Sequence, residues 1–521
     1  MAVGSRRSKS QRPTSTETSS ASNGASARVS GASPPSSAPR PHNPMLDPHG
    51  IYGTRTAYRV RAARRRRMTQ NLVIGFAFVA FVFALVMYKR MPHTKTISSD
   101  WQTHLMTKLL AMPVAVSGKA GGVLLVPTES GNLLAVDALR GTVQSGFATA
   151  FPLRAQPLVL GNIAWVPCQD GALYAVDWRT GQVLWSHATT AAMSTRPAYT
   201  HVLLPNVTTP TVVPGATPQA NSAPVVHVIP ASLPVTTGLG MNSASSTPVP
   251  ASTPAPAKPI PIVIAGNDEG MVTALNANNG RVLWHRTATG PVGNGLTATR
   301  NAAGQPLVLV PLLGGVAARG GLWCLAAQTG APVWRFPEES KSFAAQLPAP
   351  AVDGVGEQPA TRVFCVDDNG AVVCLDLKTG KKIWKTFAQP LPGVHGNASV
   401  LLRSEPMFKA YSWGERLIVG GSDGVVRSFD AHDGRLVWAF DAGAPVRCRP
   451  QAVRLNASYG QRDIILSGCD DAALYALDAQ TGALLWKYRT NSPAYAGAVV
   501  LGQHVLSVSA DGSVQSFALP S

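Results

Sequence analysis

Cys365 and Cys374 flank Asp367-Asp368-Asn369-Gly370, and an Asn-Gly pair between apolar runs is the strongest short hairpin signal a sequence carries. A two-residue turn at Asn369 and Gly370 places the two thiols opposite each other, within reach of a disulfide if their Cα atoms lie closer than about 7 Å. Cys448 and Cys469 fall near the same end of two successive strands and form a second candidate pair. An oxidising compartment would permit either bridge. The other reading is that all six cysteines are small buried apolar residues, and it is the better one for Cys168 and Cys324, which lack an evident partner. The acidic run itself reads as a turn, without the oxygen-ligand density that a hard cation needs. No Ser/His/Asp grouping, phosphate-binding Gly loop or His/Cys zinc spacing occurs elsewhere. No residue is therefore nominated as catalytic, cofactor-binding or metal-ligating.

The elements that would carry these residues come from a repeat. Ala476, Asp478, Thr481, Gly482 and Trp486 recur at matched spacing, with the turn glycine at Gly141, Gly181, Gly280, Gly330, Gly380, Gly434 and Gly482, a period of about 40 to 54 residues with one long gap. Asp opens the turn at Asp137, Asp177, Asp376, Asp430 and Asp478, Asn276 stands in for it, and Ala326 departs from it. Trp follows at Trp185, Trp284, Trp334, Trp384, Trp438 and Trp486, and Ser145 replaces it in the first copy. Asp-x-x-Thr-Gly suits a tight hairpin, because the polar side chains bond local backbone and Gly accepts positive φ. Such a hairpin cannot bury its own apolar face, so the copies must stack, with Trp as the packing residue between them. Each hairpin follows another strand, and four strands per repeat predict propeller blades.

The ends of the repeat region set the number of blades. Residues 512–517 align with residues 424–429, after which no turn or fourth strand follows. The segment around Trp101, residues 98–105, is predicted to supply that strand and close an eight-bladed ring with no open sheet edge. In the long gap, residues 197–257 contain no Asp, Glu, Lys or Arg. A Pro/Thr/Ser-rich composition of this kind predicts a disordered insertion at about 206–259, between the first and second strands of one blade.

Charge and hydropathy divide the chain further. Of the net +18, residues 1–70 carry thirteen Lys and Arg against Glu17 and Asp47, and Lys89, Arg90 and Lys95 add three more positive charges. Residues 96–521 are left nearly neutral, so the pI near 10.0 is no sign of specific nucleic-acid binding. Residues 1–70 read as a disordered basic cytoplasmic tail, with 61–67 placed to attract phospholipid headgroups or nucleic acid, or simply to fix topology. Residues 72–88 hold no charge, at ~1.5 Å per residue just enough to span a bilayer, and predict a transmembrane signal-anchor at 71–88. A leader this long argues against a cleaved signal peptide. The Arg excess before the span puts the N-terminus in the cytoplasm and the propeller in the periplasm of a bacterial inner membrane.

The pattern Ala-x-Asp-x-x-Thr-Gly-x-x-x-Trp, present at Ala175 to Trp185 and again at Ala476 to Trp486, resembles the repeats of pyrroloquinoline-quinone-type β-propellers over about residues 96–521. The resemblance implies an all-β fold of four-stranded antiparallel blades. It also implies one of two roles. Quinoprotein dehydrogenases of the family use a vicinal Cys pair over the quinone, a Ca²⁺ site and an Asp base, and no two cysteines here are adjacent. The non-catalytic branch, which includes outer-membrane protein assembly factor BamB, consists of scaffolds. This chain is expected to be of that kind: a membrane-anchored scaffold with envelope protein partners, no cofactor and no small-molecule substrate. A BamB of the outer membrane is a lipoprotein, whereas this chain shows a signal-anchor and no Cys just after its apolar run. The alternatives are an anchored periplasmic sensor or complex subunit, and a quinone-dependent dehydrogenase.

Overall fold

A computed structural model describes residues 71, 73–78 and 81, and then 99–117, 122–203, 258–314, 320–337, 348–354, 358–367, 370–389, 405–455, 462–494 and 497–519. The chain separates into two units, Met1–Lys89 and Arg90–Ser521. In the first, residues 71, 73–78 and 81 are helical. The rest of the 71–88 span and the tail lie outside the described residues, and among the described residues no helix is long and apolar enough to cross a membrane.

In the second unit, the described residues form thirty-two strands in eight four-stranded antiparallel sheets. Blades 1 to 7 are continuous in sequence, at 114–148, 158–188, 198–287, 297–336, 351–387, 407–441 and 451–489. Blade 8 takes three strands from 498–518 and its outermost strand from Trp101–His104, in the sheet order that the spare Trp segment predicts. Trp101 pairs with Ser516 and His104 with Ser513, and His504 Nδ1 and Asp100 Oδ2 approach to 3.1 Å beside them. First strands of blades 1 and 8 touch, and apolar clusters join every neighbouring pair of blades, 8 and 1 included, so the ring is closed. Blade 3 pairs Ala198–Val202 with Ile260–Gly266, which frames the predicted insertion; residues 204–257 lie outside the described residues.

Apolar residues cluster between blades rather than within them. One cluster joins Leu307, Leu309 and Cys324 of blade 4 to Val363, Val373 and Leu375 of blade 5, with Trp334 against it. At six of the eight joints an outer-strand indole lies on the next blade's turn. Trp101, Trp185, Trp284, Trp334, Trp384 and Trp438 donate Nε1–H to the carbonyls of Ala138, Ala277, Ala327, Leu377, Ala431 and Ala479, at 2.7 to 3.2 Å. Each acceptor sits three residues before a turn glycine. The glycine has φ near +70°, and a Cβ on Gly380 would fall 2.6 Å from the Trp334 ring. The turn Asp works locally, as the sequence predicts: Asp376 Oδ1 accepts from Thr379 N at 2.8 Å and Thr379 Oγ1 at 2.6 Å. Where Ala326 replaces it, the backbone bond Gly330 N to Ala326 O at 2.8 Å keeps the same turn.

A chain beginning at Leu105 would remove both the outer strand of blade 8 and the indole that lies on Gly141. Loss of a fully buried Trp costs about 3–5 kcal/mol, an upper bound for the partly buried Trp101, and the strand at 513–518 would become an open edge. A lowered thermal midpoint and self-association are expected in scanning calorimetry and light scattering. An unchanged midpoint in a monomeric product would contradict the closure described here.

Candidate functional site

The first strand of every blade faces the axis, so the residues that lead into these strands converge on one mouth of the central channel. Two positions ahead of the first strand stand Met112, Gln156, Arg196, Gly295, Ala349, Glu405 and Arg449 in blades 1 to 7. Four of them carry polar heads into the mouth. Arg196 Nη1 donates to Gln156 Oε1 at 3.0 Å and to Glu405 Oε2 at 2.9 Å, joining blades 2, 3 and 6. Arg449 Nη1 lies 3.8 Å from the same carboxylate oxygen. Gly295 makes room for the crossing, because a Cβ there would lie 3.3 Å from Arg196 Nε and 3.1 Å from the Ala349 methyl. Outside this crossing is a cavity of about 260 Å³, onto which Arg154 and Arg447 also open. On its other side a space of about 570 Å³ runs along the first strands, past Tyr199, Ala298, Phe408 and Ala452. Burial works against the charge of Arg449 and lowers its pKa, opposed by Glu405 and reinforced by Arg196.

None of this was nominated from the sequence, since Arg196 and Glu405 are 209 positions apart. Part of the signal is a common spacing, since Gln156, Arg196, Gly295 and Arg449 each stand fifteen residues after a turn glycine, while Glu405 stands twenty-five after Gly380 and joins them only once the strands are placed.

The cysteines are corrected by register. Asp367 N bonds Ala371 O at 3.0 Å and Gly370 takes φ +76°, which makes a three-residue loop rather than the two-residue turn expected at Asn369 and Gly370. Asp368 and Asn369 themselves lie outside the described residues. Cys365 therefore pairs with Val373, and Cys374 with Phe364. A one-residue slip turns side chains to opposite faces, and the two sulfurs enter different inter-blade cores. Cys448 and Cys469 are kept apart as well. Cys448 Sγ accepts from Gly468 N at 3.0 Å, while Cys469 Sγ donates to Ala444 O at 3.1 Å. All six cysteines are free and buried.

The sequence profile of the family described as outer membrane protein assembly factor BamB matches residues 97–213, 268–439 and 422–519. The chain belongs to this family. BamB of Burkholderia pseudomallei is 26% identical over 176 residues, which are 34% of this chain and 40% of that protein. A polyvinylalcohol dehydrogenase of a Pseudomonas species is 28% identical over 146 residues, 26% of this chain and 22% of its own length. The chain thus spans well under half of the curated relatives it matches. Among solved structures, BamB of Moraxella catarrhalis superposes with a TM-score of 0.50 at 15% identity, covering 81% of this chain and all of the other. Quinohemoprotein alcohol dehydrogenase of Comamonas testosteroni gives 0.53 at 14%, covering 82% and 77%. At such identities the structural likeness carries the fold alone.

BamB-family membership and the dehydrogenase relatives together pose the question of a quinone and its Ca²⁺. The residues at the mouth do not fit them. Glu405, the one carboxylate lining the cavity, is taken up by Arg196, and a hard cation needs several oxygen ligands. Among the described residues no group of three or more His, Cys, Asp or Glu is placed to hold a metal ion. No two cysteines are adjacent in sequence, and all six are free and buried.

Burial pushes the thiols of Cys324, Cys374 and Cys469 up to about 12. The native protein at neutral pH is expected to consume almost no thiol reagent and, once unfolded without reductant, six equivalents. Fewer than six on unfolding, together with a crosslinked peptide pair in unreduced digests, would restore a disulfide.

Proposed function

We propose that this chain is a non-catalytic scaffold of a bacterial envelope, anchored by one N-terminal helix in the inner membrane with its propeller in the periplasm, and that it works by binding proteins. The observation that carries this reading is the Arg196 bridge to Gln156 and Glu405, which sets side chains across the mouth. Family membership supports it, since the matching profile bears the name of an assembly factor. The uncharged stretch at 72–88 and the Arg excess before it support the anchor and its orientation. Assembly of outer-membrane proteins is the partner class that the Burkholderia relative's name suggests. An anchored sensor or subunit of an inner-membrane complex is the neighbouring possibility, and chemical crosslinking in intact membranes followed by identification of co-purified proteins separates the two.

The second reading, a quinone-dependent dehydrogenase, is favoured by the polyvinylalcohol dehydrogenase relatives. The purified chain, supplied with pyrroloquinoline quinone and Ca²⁺, is expected to retain no quinone absorbance after desalting and to reduce no dye with alcohol substrates. Stoichiometric retention with turnover would replace the scaffold reading by the enzymatic one.

Orientation has its own test. A reporter that is active only in the periplasm, fused after Ser521, is expected to be active; activity of a cytoplasm-only reporter at that position would reverse the topology.

A further inference from the structure

The charges at the channel mouth do not balance. Arg449 Nε is shielded from solvent and has no acceptor among the described residues, although the side chain as a whole keeps 36% of its surface. The carboxylate nearest to Arg449 is already bonded to Arg196 at the shorter distance of 2.9 Å. Arg154 opens onto the same cavity, is exposed, and has no hydrogen bond or ion pair among the described residues. Arg447 is tied to Asp470 at the edge, at 3.0 Å. Four guanidinium groups thus meet Glu405 and one peripheral aspartate. A half-buried guanidinium without its acceptors is costly, and a concave surface lined by one sign concentrates ligands of the other.

The surroundings narrow the ligand. A guanidinium fork matches a carboxylate with two parallel hydrogen bonds. Leu110, which lines the cavity, is 46% exposed. Phe151, three residues before Arg154, is half exposed as well. The cavity, about 260 Å³, is smaller than the ~300–1,000 Å³ of ordinary small-molecule pockets. It has room for one or two side chains, and Leu110 leaves apolar ground exposed at its lining. A small free acid would leave that apolar ground unused, whereas an extended chain with alternating acidic and apolar side chains uses both.

We propose that the channel mouth is a docking seat for an acidic, extended segment of a partner protein. One carboxylate completes the hydrogen bonding of Arg449 and Arg154, and neighbouring apolar side chains lie on Leu110 and Phe151. The proposal rests on the scaffold reading and adds the chemistry of the partner to it.

The test uses the full chain and a fluorescein-labelled peptide of alternating glutamate and leucine, compared with a twin carrying glutamine at every glutamate, by fluorescence anisotropy. The acidic peptide is expected to bind at least about tenfold more tightly than the twin, a difference that weakens as salt is raised. Arg449→Gln and Arg154→Gln are each expected to weaken it about fivefold or more, while Arg335→Gln on the outer strand of blade 4 leaves it unchanged. Arg449→Gln removes an incompletely paired charge, so its thermal midpoint should hold, and Arg154→Gln alters an exposed residue; both variants stay informative. Equal binding of the twin, undiminished binding in both variants, or citrate alone matching the peptide's affinity would overturn the seat. Crosslinking of wild-type membranes keeps the two readings separable. Recovered partners with no peptide binding would remove the seat and leave the scaffold, and peptide binding without recovered partners would overturn the partner segment as its occupant together with the scaffold reading.

Discussion

The tryptophan that lies on the next blade's turn is the contact from which the rest of the ring follows. Each docked indole covers a turn glycine and donates to the carbonyl three residues before it, so that one side chain reads both the shape and the hydrogen-bonding pattern of its neighbour. The indole satisfies a buried donor, worth about 1 kcal/mol net, and adds a large aromatic surface to the joint. Glycine is required twice over at these turns, once by positive φ and once by the ring above it. The two joints that depart from the pattern show what it demands. Ser145 offers no indole to blade 2, and there Trp178, whose counterparts are alanine or leucine, is buried in the shared core and donates to Gly161 O at 3.0 Å. Trp486 faces blade 8, whose outer hairpin is divided between the two ends of the propeller, and its Nε1 has no acceptor among the described residues.

Fixing the blades by their outer edges determines what happens at the axis. The innermost strands are brought together with one residue of each lead-in at matching height, and side chains distant in sequence meet there. Small residues at Gly295 and Ala349 leave space, and Arg196 crosses it to Glu405. A mouth spanned in this way still presents charge to the outside. In the proposed scaffold, these same residues would face an acidic partner segment, which ties that reading to a definite surface.

Much of the fold was legible because the repeat is written in residues with strict steric roles. The turn glycines and tryptophans marked seven hairpins, and the incomplete copy at 512–517 pointed to the Trp101 segment for closure, as the pairing of Trp101 with Ser516 shows. The cysteine register was not legible, because an Asn-Gly pair does not distinguish a two-residue turn from a three-residue loop with glycine at its end, and one residue decides which face each sulfur takes. Trp178 stands at a position that elsewhere is alanine or leucine and lends only its carbonyl to an indole, so the repeat carries no sign of its burial. The mouth was hidden for a different reason. Gln156, Arg196 and Arg449 each follow a turn glycine by fifteen residues, but the longer loop after Gly380 puts Glu405 twenty-five residues on, so the carboxylate that joins them falls out of that register.

A double-mutant cycle across one joint tests most directly whether the indole and the turn glycine act as a unit. Trp334→Phe and Gly380→Ala, singly and together, would be compared by urea denaturation with Trp334→Phe combined with Gly482→Ala at a separate joint. The account predicts that the first pair is non-additive by about 0.5–3 kcal/mol and the second additive within about 0.5 kcal/mol. Additivity in both pairs would contradict it, since the tryptophan and the glycine would then stabilise the ring independently.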